Sequence, residues 1–136
     1  MHPLIRMSAL PIILFTINST PWAQRLMDPA TGIMGFDKVM HTLGGIFIAY
    51  SFFVFVRTWG LEWWRTLPRY AQFCFIVTVV MAVGVLWEFY EFTHDQLFGT
   101  HFQPNNADTM GDLFFDTVGA CGAAAMFVWH KCKSRR

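Results

Sequence analysis

Charge is scarce in this sequence. Only 14% of its 136 residues are Asp, Glu, Lys or Arg, whereas soluble domains usually contain about a quarter. Hydrophobic residues make up 54% of the chain and aromatic residues 18%, including 15 Phe and 6 Trp. That is more apolar surface than one small soluble core can bury. The composition disfavours both a disordered protein and a soluble enzyme.

Cysteines, repeats and linkers are also scarce. The cysteines at positions 74, 121 and 132 show no metal-type spacing such as CxxC. We therefore interpret them as small hydrophobic residues, and the sequence does not fit a disulfide scaffold. No internal repeat, Gly/Ser linker or low-complexity tract is visible. We expect residues 1–136 to form a single transmembrane helical domain.

Long apolar runs are what the sequence does contain. Three of them cover residues 36–56, 70–92 and 111–130. Each is long enough to cross a bilayer as a helix, which takes about 20 residues. None alternates with a period of two, and backbone groups in lipid must be hydrogen-bonded internally. The sequence therefore predicts an all-α, polytopic transmembrane helical bundle.

The N-terminal segment allows more than one interpretation. Residues 4–20 are mostly apolar but are interrupted by Arg6 and Pro11. They could form a short fourth span, a truncated remnant, or a cleaved signal peptide with Arg6 as its charged start. Because residues 21–23 make a poor cleavage site, the sequence favours an uncleaved span.

The basic residues predict the orientation. Eight of the ten fall in segments that would share one side of the membrane, with Glu62 as the accompanying acid. The eight are Arg6, Arg57, Arg65, Arg69, Lys131, Lys133, Arg135 and Arg136. Lys and Arg in short flanking segments stay cytoplasmic, so we expect a multi-pass protein of the prokaryotic cytoplasmic membrane with a cytoplasmic C-terminus. We interpret the basic tail as this topology signal and not as a nucleic-acid site.

Ionisable residues form a pattern at the opposite, outward ends of the three long spans. Seven carboxylates occur there, at helical spacings of three or four that place each group on one helical face. The groups are Asp37 with His41, then Glu88 with Glu91 and Asp95, then Asp108 with Asp112 and Asp116. Ionisable residues within membrane spans are costly and usually mark a function.

These acids outnumber the nearby basic groups. Lys38, His41, His94 and His101 are the local counter-charges, too few for seven acids. A divalent metal held by carboxylates and one imidazole would relieve the repulsion, and protonation of several carboxyls is the alternative. Single members also have structural interpretations as helix caps or interface residues. The predicted metal ligands are Asp37, His41, Glu88, Glu91, Asp95, Asp108, Asp112 and Asp116.

Two further features surround this predicted site. Gln103 and Asn105, in the loop after the second long span, are candidates for binding a polar substrate or head group. Small residues adjoin the polar faces and would let the helices pack closely without acting in the chemistry. They include Gly44, Gly45, Gly84 and Gly119.

The stretches FDKVMHTLGG, WEFYEFTHDQLFGTHFQ and ADTMGDLFFDTVGA, within about residues 35–120, resemble a known family. They are similar to motifs of the uncharacterised prokaryotic membrane proteins that include YjdF. The first also resembles an Asp-Lys-x-x-His element of VanZ-like proteins. The resemblance implies a membrane fold in which the same acids, His41 and Gln103 share a site. The segment before Gly35 is shorter than in that family, which implies that one or two of its helices are absent. The family carries no established reaction.

Three functions fit these observations. We rank first a site that binds a divalent cation or a polar head group. The second is a metal-assisted hydrolase or transferase acting on a lipid or cell-envelope precursor, with His41 or Glu88 as general base. No Ser or Cys nucleophile with a partner supports that chemistry, so enzyme activity stays open. The third is proton or cation transport, for which the apolar inner halves offer no polar route unless a homo-oligomer supplies one.

Overall fold

Helices account for all the regular structure in the described part of the chain. The computed structural model describes residues 2–27 and 35–130. Its helices are α1 (Pro3–Asn18), α2 (Pro21–Met27), α3 (Phe36–Thr58), α4 (Glu62–Thr66), α5 (Arg69–Phe98) and α6 (Asn106–His130). By length and composition, α3, α5 and α6 can each cross a membrane. The predicted all-α transmembrane bundle is confirmed.

The first helix is shorter than the three spanning helices. Its 16 residues are about 24 Å long at helical rise, less than the roughly 30 Å of a hydrocarbon core. It packs antiparallel to α3, with Leu14 near Gly44 and the Ser51 hydroxyl donating to the carbonyl oxygen of Met7. The N-terminal segment therefore forms a helix that covers one side of the bundle.

The second and third spanning helices extend beyond the runs predicted from hydropathy. Helix α5 continues past residue 92 to Phe98 and is capped by Gly99, whose φ of 65° is left-handed. Helix α6 begins before residue 111, where the Asn105 side chain accepts hydrogen bonds from the backbone N–H groups of Ala107 and Asp108. Hydropathy marks the apolar stretch, whereas capping residues set the ends of the helix. The acids at these ends therefore lie on helices and not in loops.

Two glycines bring α3 and α6 into the closest helix contact of the bundle. A Cβ atom at Gly45 would collide with the carbonyl oxygen of Asp116, and one at Gly119 would collide with that of Thr42. Small residues allow membrane helices to approach backbone to backbone in this way. The contact fixes the register between α3 and α6, and so places their polar faces side by side.

The other end of the bundle is packed with apolar side chains. Ile76 and Val80 of α5 lie against Ala120 and Ala124 of α6 in a core that continues to Val128. Aromatic rings extend it. Among them, the Phe52 ring packs 5.6 Å from Trp64 and 5.7 Å from Phe75 between centroids. The buried core of the described bundle is therefore polar at one end and apolar at the other. We call these the polar end and the apolar end, although the surface of the apolar end carries Arg57, Arg65 and Arg69.

Candidate acid-histidine site

Lys38 lies at the centre of the polar end. Its Nζ atom donates to Asp108 Oδ1 and Asp112 Oδ1 at 2.6 Å each, and to Asp37 Oδ2 at 3.0 Å. The side chain of Asp112 is only 3% exposed, whereas those of the other three residues are about a quarter exposed. The ammonium group thus ties α3 to α6 and neutralises part of the negative charge.

The sequence predicts that Lys38 is a counter-charge near the site and not one of the site residues. The structure instead places its ammonium among three of the predicted metal ligands. The sequence feature that could have indicated this role is the position of Lys38 beside Asp37 on α3, because α6 carries an acid at every fourth residue. Only the packing of α3 on α6 shows that one lysine reaches all three carboxylates.

His41 continues this network toward the interior. Its Nε2 atom lies 3.7 Å from Asp37 Oδ1 and 3.6 Å from Asp112 Oδ1, and its Nδ1 atom lies 3.5 Å from Asp116 Oδ2. These separations are in ion-pair range but are longer than a direct hydrogen bond. His41 and Asp116 are both buried. Because Asp112 contacts both Lys38 and His41, the polar groups form one chain from the helix ends to Asp116.

We call this series of contacting polar groups the acid-histidine site. Its residues come from α3 and α6. They are Asp37, Lys38, His41, Asp108, Asp112 and Asp116. Within it, Asp37, His41 and Asp112 each offer one ligand atom, and these atoms lie within 4.8 Å of one another. Ligand atoms about 2.0–2.5 Å from one ion can be no more than about 5 Å apart, so this spacing is compatible with one cation.

The glycines beside the site make room for its side chains. A Cβ atom at Gly84 of α5 would lie 2.7 Å from Asp116 Oδ2, and one at Gly111 would lie 3.4 Å from Lys38 Cε. The Asp116 carboxylate therefore packs against the backbone of α5, where a larger residue would displace it. This is the supporting role that the sequence predicts for the small residues.

Asp95 of α5 holds the loop that follows its helix. Its carboxylate accepts hydrogen bonds from Thr100 Oγ1 at 2.6 Å and from the backbone N–H groups of Phe102 and Gln103 at 2.9 Å each. The same Gln103 donates from Nε2 to Glu88 Oε2 at 2.9 Å. The loop is thus folded back onto α5. Gln103, a predicted head-group ligand, contacts Glu88, a predicted metal ligand.

Glu88 is a third deeply buried acid, besides Asp112 and Asp116. It is 5% exposed, and its Oε1 atom has no hydrogen-bond partner among the described residues. Buried polar atoms are nearly always paired, because leaving one unpaired costs about 1–3 kcal/mol. This oxygen is therefore a position at which a donor group of a ligand would be stabilised.

The remaining predicted site residues have local partners. Glu91 Oε1 accepts a hydrogen bond from Trp87 Nε1 at 2.8 Å, one turn earlier in α5. Asn105 is exposed and caps the first turn of α6. Neither belongs to the three-residue group around His41. Their roles as a metal ligand and a head-group ligand stay predictions.

An apolar cavity of about 250 Å³ adjoins the inner end of the site. His41 and Asp116 lie on its wall beside mostly apolar residues of α1, α3 and α5, among them Leu14, Ile48 and Val83. Polar groups that open onto an apolar cavity are the arrangement that most small-molecule sites show. The cavity could thus hold the apolar part of a ligand whose polar part reaches His41.

These features define a multi-pass membrane protein with a buried cluster of acids, a lysine and a histidine. The chain belongs to the family described as predicted membrane protein (DUF2238), whose model matches residues 9–133. It is similar to an uncharacterized protein of Thermotoga maritima, with 36% identity over 104 residues. That match covers 76% of this chain and 52% of the relative, so the chain spans about half the relative's length. No solved structure matches this chain. The expected membership of an uncharacterised membrane-protein family is confirmed.

Proposed function

We propose that the acid-histidine site binds a divalent cation, which displaces the Lys38 ammonium group from Asp37 and Asp112 but not from Asp108. The observation that carries this proposal is the spacing of Asp37, His41 and Asp112, whose ligand atoms lie within 4.8 Å of one another. Two carboxylates and an imidazole from two helices form a partial ligand set. A cation there would stabilise the contact between α3 and α6.

Charge balance supports the same proposal. The site has four carboxylates and one ammonium, so with a neutral imidazole its formal charge is three negative units. Two of these carboxylates, Asp112 and Asp116, are buried, where like charges repel more strongly than in water. A divalent cation would bring the site close to neutrality, which the single lysine does not.

Lys38 and the cation would compete for the same oxygens. The ammonium hydrogen-bonds Asp37 and Asp112, which are two of the three proposed ligands. Asp108 lies outside that group and bonds the same ammonium at 2.6 Å. Lys38 could therefore stay paired with Asp108 while a cation takes the other two carboxylates.

Elemental analysis and calorimetric titration of the detergent-purified protein test the proposal. The probes are Mg²⁺, Mn²⁺ and Zn²⁺ added to metal-stripped protein. Wild type should bind about one ion per chain, Asp112→Asn and His41→Ala should lose it, and Lys38→Met should bind about tenfold more tightly because the competing ammonium is gone. The control Glu62→Gln, at the opposite end, should match wild type. If no variant and no wild-type sample binds any of these ions, the proposal is wrong.

A second candidate is binding of a lipid by its polar head group, and the cavity beside His41 and Asp116 favours it. The apolar chain would lie in the cavity and the head group would reach the acid-histidine site. A hydrolase or transferase acting on such a lipid would then use His41, or Glu88 with its unpaired Oε1, as general base. Transport is less favoured, because the described core beyond Asp116 is apolar.

Photocrosslinking with a diazirine-labelled phospholipid tests this second candidate. Val83 lines the cavity, whereas Val85 does not, and the two are 37% and 38% exposed on the same helix. Val83→Trp should fill the cavity and abolish crosslinks to α1, while Val85→Trp should leave them unchanged. Equal crosslinking in both variants would exclude a lipid in this cavity.

A further inference from the structure

A second cavity, of about 470 Å³, lies at the apolar end of the bundle, away from the acid-histidine site. Three arginines from three different helices line it. They are Arg57 near the end of α3, Arg65 in α4 and Arg69 at the start of α5. The proposed cation site makes no use of these residues. We call this cavity the arginine cavity.

Little negative charge opposes these arginines. Within residues 35–130, the one ion pair that they form joins Arg65 Nη1 to Glu62 Oε1 at 3.5 Å. Both of those side chains are more than 60% exposed, so the pair is weak. Arg57 instead lies over the Phe53 ring, 5.3 Å from its centroid. Among the described residues, the positive charge of the arginine cavity is therefore largely uncompensated.

The start of α5 adds to this field. Pro68 precedes the helix and provides no side-chain cap, and the first turn contains no acidic residue. The positive end of the helix dipole is thus not neutralised at the point where Arg69 lines the cavity. Gln72, which is buried, donates from Nε2 to the carbonyl oxygens of Trp64 and Leu67 and fixes α4 to α5. Phe52 of α3 packs on Trp64 of α4, so the three guanidinium groups belong to elements that are in contact.

We propose that the arginine cavity binds the phosphate group of an anionic membrane phospholipid. Guanidinium groups match phosphate oxygens in geometry as well as charge. Exposed rings of Trp59, Trp63 and Tyr70 adjoin this end, and such rings favour the head-group region of a bilayer. A lipid phosphate would be held at that depth, whereas free phosphate would have no reason to accumulate there.

Native mass spectrometry of the detergent-purified protein tests this assignment. The probes are dioleoyl phosphatidylglycerol, dioleoyl phosphatidylcholine and inorganic phosphate. Wild type should retain phosphatidylglycerol in preference to phosphatidylcholine. The triple variant Arg57→Gln, Arg65→Gln, Arg69→Gln should retain it about ten- to a hundredfold less, since each basic residue near the surface contributes to anionic lipid binding. Arg25→Gln, in α2, is the matched control and should behave as wild type.

Wild type alone provides a second test, in case the triple variant fails to fold. Its preference for phosphatidylglycerol should fall as the salt concentration rises, because the attraction is electrostatic. Equal retention of the two lipids by wild type, or equal retention of phosphatidylglycerol by all variants, would overturn the proposal. Binding of inorganic phosphate without retained phosphatidylglycerol would overturn the lipid assignment.

Discussion

The two ends of the bundle are held together by different forces. At the polar end, Lys38 and His41 of α3 pair with acids of α6 over distances of 2.6–3.6 Å. At the apolar end, Ile76, Val80 and Ala124 are buried together, and Gln72 is the one buried polar side chain among the described residues there. The polar end is therefore stabilised by charge compensation, and the apolar end is stabilised by the packing of apolar side chains.

This difference bears on where a function can be located. Apolar packing between membrane helices is tolerant, because many side chains of suitable volume fill the same space. A buried charge network is less tolerant, because removing one member leaves its partner unpaired. Selection for stability alone would not favour six ionisable groups at one helix contact. The polar end is therefore where a ligand is expected.

The largest effect is expected from breaking the buried network. Asp112→Ala would leave the Lys38 ammonium and His41 without their shared partner. We expect a loss of about 3–5 kcal/mol in the free energy of unfolding, measured by denaturing-detergent titration in mixed micelles. A cost below about 1 kcal/mol for Asp112→Ala would show that the two ends do not differ as described.

A smaller effect is expected from a cavity at the apolar end. Ile76 is fully buried in the core, so Ile76→Ala removes packed atoms without leaving a charge behind. We expect a cost of about 2–4 kcal/mol in the same titration. Val85→Ala, on the exposed side of the same helix, is the control and should cost much less. If Ile76→Ala lowers the free energy of unfolding more than Asp112→Ala does, apolar packing contributes more to stability than charge compensation.

The close contact of α3 with α6 lies between the two ends, and disturbing it should have a smaller effect than either of the preceding changes. A Cβ at Gly119 would collide with the carbonyl oxygen of Thr42, whereas one at Gly122 has no neighbour within 4 Å. Gly119→Ala should destabilise the protein by about 1–3 kcal/mol. Gly122→Ala should be neutral or stabilising by up to about 1 kcal/mol, because alanine favours the helix. Thermal unfolding of both variants distinguishes steric contact from helix propensity, and equal melting temperatures would contradict the contact.

The smallest effect is expected at the exposed pair of the apolar end. Glu62 and Arg65 are 3.5 Å apart and both largely exposed. Glu62→Gln should therefore change the free energy of unfolding by less than about 1 kcal/mol. A larger change would mean that this pair is shielded from solvent in the membrane. The ion pairs at the two ends would then differ less in their contribution to stability.

Much of the fold followed from the sequence because its signals are local. Apolar runs predicted α3, α5 and α6, and helical spacing put His41 on the face of Asp37 and Asp112 on the face of Asp116. The helix ends were less predictable. Polar residues prolong α5 and α6 beyond the apolar stretches, and Gly99 and Asn105 end or begin them.

Local sequence patterns did not predict which of the candidate site residues lie together. From spacing alone, all seven acids and His41 formed one set of ligands. The structure separates Asp95, which holds the loop through Thr100, Phe102 and Gln103, from the three-residue group around His41. Which face of a helix meets which neighbour depends on packing between helices, and a single helical period does not encode it.

The sequence by itself determined that this protein is a bundle of membrane helices with its acids at one end and its arginines mainly at the other. Hydropathy and spacing act within one helix, so they can be read along the chain. The tertiary structure alone decided that Lys38 lies among three carboxylates, that Asp116 packs against Gly84, and that three arginines line one cavity. Those arrangements depend on how closely α3, α5 and α6 approach one another, which glycine contacts and side-chain packing set together.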